Sequence, residues 1–382
     1  MINRKLPEDW KLVKLQNLFL LEYGKGLPER QRLLGKYPVV GSNGIIGYHN
    51  QALVKGPGIV IGRKGTIGAV SLIESDFWPI DTTYYVKILN REVDLKWLFF
   101  ALVKLNLPKL NLSDVVPGLK RELVYALKLP LPPLPEQQKI AEILSTVDSA
   151  IEKVNQAIEK TQRLKKGLMQ ELLTKGIGHK EFKDTEIGRI PKEWEVVRLG
   201  DICKQRNQII LPSGKGEFKF VGLEHITSGE TKLCAYEFDI NIKSSKFKFY
   251  AGDILYGKLR PYLDKAILAE FDGICSTDLL VLTPAKDRIY TEFLIYTIHS
   301  KKFIQYAIST TSGTNHPRTS WKAISKFMFG LPPLPEQQKI AEILSTVDKR
   351  LELLKKKKEK LERIKKGLMN DLLTGKRRTK YG

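Results

Sequence analysis

Eighteen consecutive residues of this chain occur twice without a single change. Residues 131–148, Leu-Pro-Pro-Leu-Pro-Glu-Gln-Gln-Lys-Ile-Ala-Glu-Ile-Leu-Ser-Thr-Val-Asp, recur at 331–348, an offset of 200 in a chain of 382. The segments Lys-Lys-Gly-Leu-Met at 165–169 and Leu-Leu-Thr at 172–174 recur at the same offset. Solenoid repeats are only a few tens of residues long, so this period indicates a duplicated module of domain size. Such a duplication can present two similar surfaces about a pseudo-two-fold axis while each copy diverges.

The charge of the chain points to a polyanionic partner. It has 64 Lys and Arg against 42 Asp and Glu, a net charge of +22 and a sequence pI near 9.6. An excess of this size attracts polyanions and speeds their association, so nucleic acid is the first expectation and an anionic membrane surface the second. A charge that serves only solubility is a third explanation. We expect no membrane association and a cytoplasmic location, because no signal or spanning segment is apparent and the three cysteines look like reduced thiols.

The hydrophobic pattern divides the chain into four parts. Strand-like, glycine-punctuated sequence at 1–135 is followed by helical sequence at 136–180, and the same order repeats at 181–335 and 336–382. Both mixed regions begin with a Pro-x-x-Trp segment, whose Trp10 and Trp194 we expect to anchor a core. The basic tail at 376–380 is expected to be solvated. The prediction is an α+β chain in which two mixed α/β domains are joined by two long helices.

The two helical segments carry the heptad pattern of a coiled coil. Pseudo-symmetric copies would pair antiparallel, with ~35–40 residues and roughly 55 Å per helix. The alternative is that each helix packs back on its own module. The seam consists of Ile140, Leu144, Val147, Ile151, Val154 and Ile158 in the first helix, and of Ile340, Leu344, Val347, Leu351, Leu354 and Leu361 in the second.

This layout resembles the specificity subunits of type I restriction-modification systems. The match rests on the repeated Leu-Pro-Pro-Leu-Pro-Glu-Gln-Gln-Lys-Ile-Ala motif, the Lys-Lys-Gly-Leu-Met and Leu-Leu-Thr segments and the Pro-x-x-Trp openings. The segments 37–48 and 257–265 each resemble a type of recognition domain. The resemblance implies two target-recognition domains, 1–135 and 181–335, joined by conserved spacer helices at 136–180 and 336–382.

The resemblance also implies partners and a role without catalysis. Each domain would read half of a bipartite, asymmetric target in double-stranded DNA. The helices would fix the gap between the halves and dock two methyltransferase subunits, and restriction subunits that drive translocation would complete the complex. No cofactor is expected in this chain, since S-adenosylmethionine, ATP and Mg would be bound only by the partner subunits. We expect no catalytic residue and no metal site.

Polar and basic clusters mark the candidate DNA contacts, because Asn and Arg can bond adenine and guanine bidentately and basic side chains can bind phosphates. For any single one of these residues, an exposed turn without a DNA contact is an equally good explanation. In the first module the candidates are Ser42, Asn43, Tyr48, His49, Arg63, Lys64, Lys120 and Arg121. In the second they are Lys258, Arg260, Tyr262, Lys265, Asn315, His316 and Arg318.

The alternatives to a DNA-binding specificity protein are an enzyme and a structural scaffold. A fused amino-methyltransferase would need an Asn/Asp-Pro-Pro-Tyr/Phe motif and a DNA motor a phosphate-binding loop, and the chain carries neither. A coiled-coil scaffold without DNA recognition would leave the charge and the two diverged modules unexplained. A methyltransferase-only system, or one with fused nuclease and methyltransferase, stays open because the difference lies in the partners.

Overall fold

The structure is a computed structural model that describes residues 6–110 and 118–379. The chain divides into two compact units, one formed by Met1–Gln156 with Lys355–Gly382 and the other by Ala157–Leu354. Each unit contains one module, the first part of one long helix and the last part of the other. The α+β fold class predicted from the sequence is confirmed.

The described residues of the first unit form nine strands and the start of a long helix. Its strands are β1 (Lys11–Lys14), β2 (Phe19–Tyr23), β3 (Tyr37–Gly41), β4 (Gly44–His49), β5 (Gly58–Gly62), β6 (Val70–Ile73), β7 (Trp78–Pro79), β8 (Thr83–Ile88) and β9 (Lys128–Leu131). Its helices are α1 (Leu95–Lys104), α2 (Arg121–Tyr125) and the long α3 (Leu134–Lys175).

Three sheets make up the first module. The order β2-β8-β5-β6 forms an antiparallel sheet, β4-β3-β7 forms a smaller sheet, and β1 pairs with β9. Strand β5, with the sequence Gly-Ile-Val-Ile-Gly, is buried along its whole length, as expected for a central strand rich in β-branched residues. Asp94 caps the start of helix α1, and its carboxylate accepts a hydrogen bond from the Trp97 amide at 2.8 Å.

The second unit is built on the same plan. Its strands are β10 (Phe182–Thr185), β11 (Gly188–Pro191), β12 (Glu195–Arg198), β13 (Cys203–Arg206), β14 (Ile209–Ile210), β15 (Lys219–Val221), β16 (Glu237–Phe238), β17 (Lys246–Phe249), β18 (Ile254–Gly257), β19 (Ala266–Leu268), β20 (Gly273–Cys275), β21 (Leu279–Pro284) and β22 (Met328–Leu331). Its helices are α4 (Leu199–Ile202), α5 (Thr291–Ile298), α6 (Lys301–Ser309), α7 (Trp321–Ile324) and the long α8 (Leu334–Leu372).

The two modules share a four-stranded sheet and a two-stranded sheet and differ in the rest. The second module's sheet β13-β21-β18-β19 has the strand order of β2-β8-β5-β6, and the pair β12–β22 corresponds to β1–β9. The second module's other large sheet has five described strands, β14-β17-β20-β15-β16, where the first module has three, and the hairpin β10–β11 is an additional two-stranded sheet. The four-stranded and two-stranded sheets, which we call the shared frame, therefore have the same topology in both modules, while the additional sheets have diverged.

In each unit the two long helices run antiparallel and join the core of the module. In the first unit, Asp148 of α3 pairs with Lys365 of α8, and Glu136, nearer the start of α3, pairs with Arg378, just after the end of α8. The start of one helix therefore lies beside the end of the other. In the second unit, Asp348 pairs with Lys165 and Glu336 with the chain just after α3. The antiparallel arrangement is confirmed, and the alternative is also partly right, because each helix begins by packing on its own module.

The cores explain this double role of the helices. Ile140 and Leu144 of α3 are fully buried with Trp10, Trp97 and Leu372 of the first unit. In the second unit the corresponding cluster contains Ile340, Leu344, Trp194, Phe293 and Leu172. Both tryptophans are buried, which confirms the packing role predicted for them. Burial of these apolar faces supplies the main driving force for docking each helix end.

Candidate nucleic-acid interface

Two arginines flank one half-exposed tyrosine on the surface of the first module. The guanidinium carbon of Arg121 lies 4.7 Å from the centre of the Tyr23 ring, and that of Arg63 lies 5.3 Å from it. Arg63 also donates two hydrogen bonds, of 2.7 and 3.2 Å, to the carbonyl oxygen of Asp81. Arg121 donates one of 3.3 Å to the carbonyl oxygen of Leu21. Neither guanidinium forms an ion pair with a described carboxylate, so both positive charges are available to an anion.

Further predicted residues lie around the loop that follows β5. The Ser42 hydroxyl donates to the Thr82 carbonyl at 2.9 Å, and the same carbonyl accepts from the amides of Arg63 and Lys64. The side chains of Asn43, Lys64 and Lys120 are exposed. The structure thus collects six of the eight candidates of the first module around the end of β5. Tyr23 was not predicted, because a tyrosine in a strand gives no sequence signal of an exposed surface.

Two candidates of the first module lie elsewhere on the hairpin β3–β4. His49 is buried, its Nδ1 accepts from the Leu33 amide at 3.0 Å, and its ring meets that of Trp78 edge to face. This side chain holds the hairpin against the preceding loop and is not part of the exposed surface. Tyr48 is exposed on the opposite side of the strand.

A buried tyrosine supports Tyr23 from below. The Tyr84 ring lies 5.1 Å from that of Tyr23, and its hydroxyl donates to the Leu119 carbonyl at 3.0 Å. Burial, reinforced by the neighbouring Tyr23, raises the pKa of Tyr84 to about 12. The Tyr84 hydroxyl therefore stays protonated over the physiological range and fixes the loop that carries Lys120 and Arg121.

The second module gathers its candidates around a strained loop. Arg260 has a φ of 51° in the left-handed region, and its amide donates to the Pro317 carbonyl at 2.7 Å. Its guanidinium reaches the carbonyl of Asn315, at 3.5 Å, while its Nε is buried without a partner. Arg318 pairs with Asp278 at 3.0 Å. A non-glycine residue in this backbone region is costly, and such residues cluster at functional sites.

The remaining candidates of this module differ in their exposure and in their hydrogen bonds. Lys258 is half-buried, whereas Tyr262, Asn315 and His316 are exposed. The Lys265 ammonium donates to the Leu223 carbonyl at 2.6 Å and therefore braces the loop after β15. The contacts to DNA remain predictions for all of these residues.

Arg63 and Lys258 occupy equivalent positions in the two modules. Each follows the glycine that ends a central strand, β5 or β18. Each donates its amide to the carbonyl of the residue just before the strand paired with it in the sheet, β8 or β21. The carbonyl of Arg63 accepts from the Leu119 amide, and that of Lys258 accepts from Thr319. A basic residue is therefore presented at the same place of both frames.

The duplicated Pro-Glu-Gln-Gln motif is a structural junction in each unit. Glu136 is completely buried and accepts from the Trp10 indole at 2.9 Å and from Arg378 at 2.8 Å. In the second unit Glu336 accepts from the Trp194 indole at 3.0 Å and contacts His179 at 2.8 Å. The expectation of a solvated tail was wrong for Arg378, which also binds Asp9; Lys380 lies outside the described residues.

The glutamine after each of these glutamates joins the helix to its module. The Gln137 side chain accepts from the Asp94 amide and donates to the carbonyls of Glu92 and Pro132. Gln337 makes the corresponding bonds with the Tyr290 amide and the carbonyls of Arg288 and Pro332. Buried polar groups with every partner satisfied fix one geometry. These roles were missed at the sequence level, although exact repetition of polar residues was the available signal.

The predicted helix seam is buried to different degrees along the two helices. Fully or nearly fully buried are Ile140, Leu144, Val154, Ile340, Leu344, Val347 and Leu351. Partly exposed are Val147, Ile151, Ile158, Leu354 and Leu361. Two ion pairs of 2.6 Å, Lys365–Asp148 in the first unit and Lys165–Asp348 in the second, lie beside the seam. Docking of partners on these residues remains a prediction.

A family comparison agrees with this architecture. The model of the type I restriction modification DNA specificity domain matches residues 7–161 and 191–363. The chain belongs to this family. Its members are specificity subunits, which bind DNA and assemble with other subunits but do not catalyse a reaction. The resemblance identified from the sequence is therefore confirmed.

Relatives and solved structures extend along almost the whole chain. The MjaVIII specificity subunit of Methanocaldococcus jannaschii is 29% identical, covering 98% of this chain and 95% of the relative. The EcoDI specificity subunit of Escherichia coli is 26% identical, covering 88% and 80%. The S subunit from M. genitalium has a TM-score of 0.67 at 19% identity, with 98% of each chain covered, and supports the fold.

Residues 6–110 and 118–379 contain neither a membrane-spanning helix nor a metal cluster. No helix in these ranges is long and apolar enough to cross a membrane. The same part of the chain holds no group of three or more His, Cys, Asp or Glu side chains placed to bind a metal ion.

Proposed function

We propose that this chain reads a bipartite, asymmetric DNA target, with one half-site bound by each module. The observation that carries the proposal is the equivalent placement of Arg63 and Lys258 on the shared frame, each surrounded by other residues that differ between modules. Phosphate contacts from equivalent basic residues would position both modules alike, while the differing side chains would contact base edges. Two different half-sites follow from this arrangement.

The long helices are proposed to set the gap and to dock two methyltransferase subunits. Helix α3 spans 42 residues and α8 spans 39. At a rise of 1.5 Å per residue each is roughly 60 Å long, whereas half-sites on one face of B-DNA lie about 34 Å apart or at multiples of this distance. Exposed aliphatic side chains at Leu164 and Ile364, equivalent positions of the repeat, offer matched apolar contacts.

The complete complex is proposed to include restriction subunits and to act in the cytoplasm. S-adenosylmethionine would be bound by the methyltransferases and ATP with Mg by the restriction subunits, with no cofactor bound by this chain. The charge of +22 would contribute to DNA binding throughout.

The test is to express the chain with its methyltransferase partner in an unmodified host and to map modified bases by long-read sequencing. We expect one asymmetric motif in two parts, separated by a gap of fixed length. Methylation at a short, undivided site, or no methylation although both subunits are associated and folded, would contradict the proposal.

A further inference from the structure

The hairpin β3–β4 of the first module exposes an unusual number of apolar side chains. Ile45 and Ile46 are adjacent in β4, yet they are 52% and 43% exposed. In a regular strand neighbouring side chains alternate between faces. Here the pairing shifts, because Val40 is opposite Ile45 while Val39 is opposite Gly47, and Ile46 is the extra residue of a bulge. The bulge explains how both isoleucines reach the surface.

A second apolar segment is attached to this bulge. The Arg32 guanidinium donates to the Ile46 carbonyl at 3.0 Å and to the Leu27 carbonyl at 3.3 Å. The next two residues, Leu33 and Leu34, are 60% and 102% exposed, and the Leu33 amide is bound by His49. We call Leu33, Leu34, Ile45, Ile46 and Tyr48 the apolar ridge. A cluster of exposed apolar side chains on a protein surface indicates a binding site.

The charge of the segment that carries the ridge favours DNA over a protein as its occupant. Residues 28–64 contain six Lys or Arg side chains and a single acidic one, Glu29. The ridge is also continuous with the candidate interface, since the turn after β3 is fixed by the hydrogen bond from Ser42 to the Thr82 carbonyl. A two-stranded ribbon fits the major groove, where adenine offers a donor and an acceptor to Asn and thymine offers its methyl group to apolar side chains.

We propose that the β3–β4 hairpin enters the major groove and recognises A·T base pairs in the half-site of the first module. Asn43, exposed at the turn, binds the adenine edge, and Ile45 and Ile46 contact thymine methyl groups. The proposal rests on the proposed function, because it requires that the first module reads one half-site. It assigns a base-reading role to two isoleucines that carry no charge or hydrogen-bonding group.

The experiment measures binding of the full chain with its methyltransferase partner to duplexes of the mapped target. Each thymine is replaced in turn by uracil, which keeps the base pair and removes only the methyl group. Loss of one buried methyl group should weaken wild-type binding about three- to five-fold. The loss should occur at one or more positions of one half-site, and thymines of the other half-site serve as controls.

The variant Ile45→Ala/Ile46→Ala should bind thymine and uracil duplexes equally. Leu89→Ala is the matched control, because Leu89 is 53% exposed and follows the last residue of β8, at the end of that strand away from Thr82 and the hairpin turn. This variant should keep the wild-type sensitivity to uracil. Equal thermal unfolding of the variants would verify that they fold. Asn43→Ala should relax the mapped motif at an adenine of the same half-site.

Two results would overturn the proposal. One is equal wild-type binding to thymine and uracil at all positions of both half-sites, and the other is an unchanged uracil effect in the double isoleucine variant. Failure of the proposed function would be visible beforehand, in the mapping itself, as a motif that is not divided into two parts.

Discussion

At the scale of single residues, Arg63 and Arg121 carry charges that no described carboxylate neutralises. The pair sits over Tyr23, and its side chains are held by the carbonyls of Asp81 and Leu21. Preorganised cations of this kind bind an anion without a large loss of side-chain entropy. We propose that a DNA phosphate binds at this position, beside the hairpin that is proposed to contact base edges.

Replacing both arginines, Arg63→Ala/Arg121→Ala, should weaken binding to every DNA sequence by the same factor. Since each phosphate contact contributes about 0.9 to the slope of log K against log salt, the slope should become less steep by about two. Titrations at several salt concentrations would measure it. The exposed pair Lys87→Ala/Lys128→Ala is the control, and an unchanged slope in the arginine variant would contradict the assignment.

The three cysteines differ in a way that chemical modification can measure. Burial raises the pKa of Cys203 and Cys275 to about 12, and the charge of Asp253 adds to the effect. Cys234 is exposed. Because the thiolate is the reactive form, iodoacetamide at pH 8 should label Cys234 rapidly and leave the buried pair unmodified. Mass spectrometry of the folded chain would show this; rapid labelling of Cys275 would contradict the described core.

Residue-scale contacts were only partly predictable from the sequence. The basic residues Arg63 and Lys258 were selected as candidates because glycine-flanked basic clusters are a local signal, and the structure places them at equivalent positions. Tyr23 was missed and the burial of His49 was not predicted, since the exposure of the first and the burial of the second depend on which strands become neighbours. The role of Ile46 depends on a bulge, which no local pattern of the strand indicates.

At the scale of elements, the junction between each long helix and its module determines how the frame is assembled. Glu136 joins Trp10, Arg378 and the Thr379 amide at one buried point. The corresponding Glu336 joins Trp194, His179 and the Ile177 amide. The same glutamate thus binds the opening segment of a module and the chain that follows the other helix.

Glu136→Ala should destabilise the first unit, because it leaves the buried Trp10 indole without its acceptor and removes one of the two carboxylates that bind the Arg378 guanidinium. A buried donor left without an acceptor costs about 1–3 kcal/mol, and loss of the ion pair with the half-exposed Arg378 adds less than this. Glu142→Ala is the control in the same helix; its exposed ion pair with Lys139 is worth less than about 0.5 kcal/mol. Urea unfolding would compare them, and equal unfolding midpoints would contradict the junction.

Elements were the level at which the sequence was most informative. The heptad pattern predicted both long helices, and the prolines at their first turns marked their starts within a few residues. The same pattern did not predict the pairing of Asp148 with Lys365, although both residues lie in repeated segments. A repeat shows that positions are equivalent, but the antiparallel partner follows from the three-dimensional packing.

At the scale of the whole molecule, the chain carries one frame twice with different surroundings for each copy. If the helices set the gap, a matched insertion of four residues, about one turn, after Gln156 and after Leu354 should lengthen the gap. Both half-site sequences should stay the same in methylation mapping. A changed half-site with an unchanged gap would contradict the role of the helices.

The most direct test of two independent target-recognition modules is a domain exchange within this chain, expressed with its methyltransferase partner. Residues 195–331, from the start of β12 to the end of β22, are replaced by residues 11–131, from the start of β1 to the end of β9. The junctions then fall at equivalent positions of the two frames. Mapped methylation should show the first half-site twice, as an inverted repeat with the original gap. An asymmetric target that retains the second half-site would contradict the account.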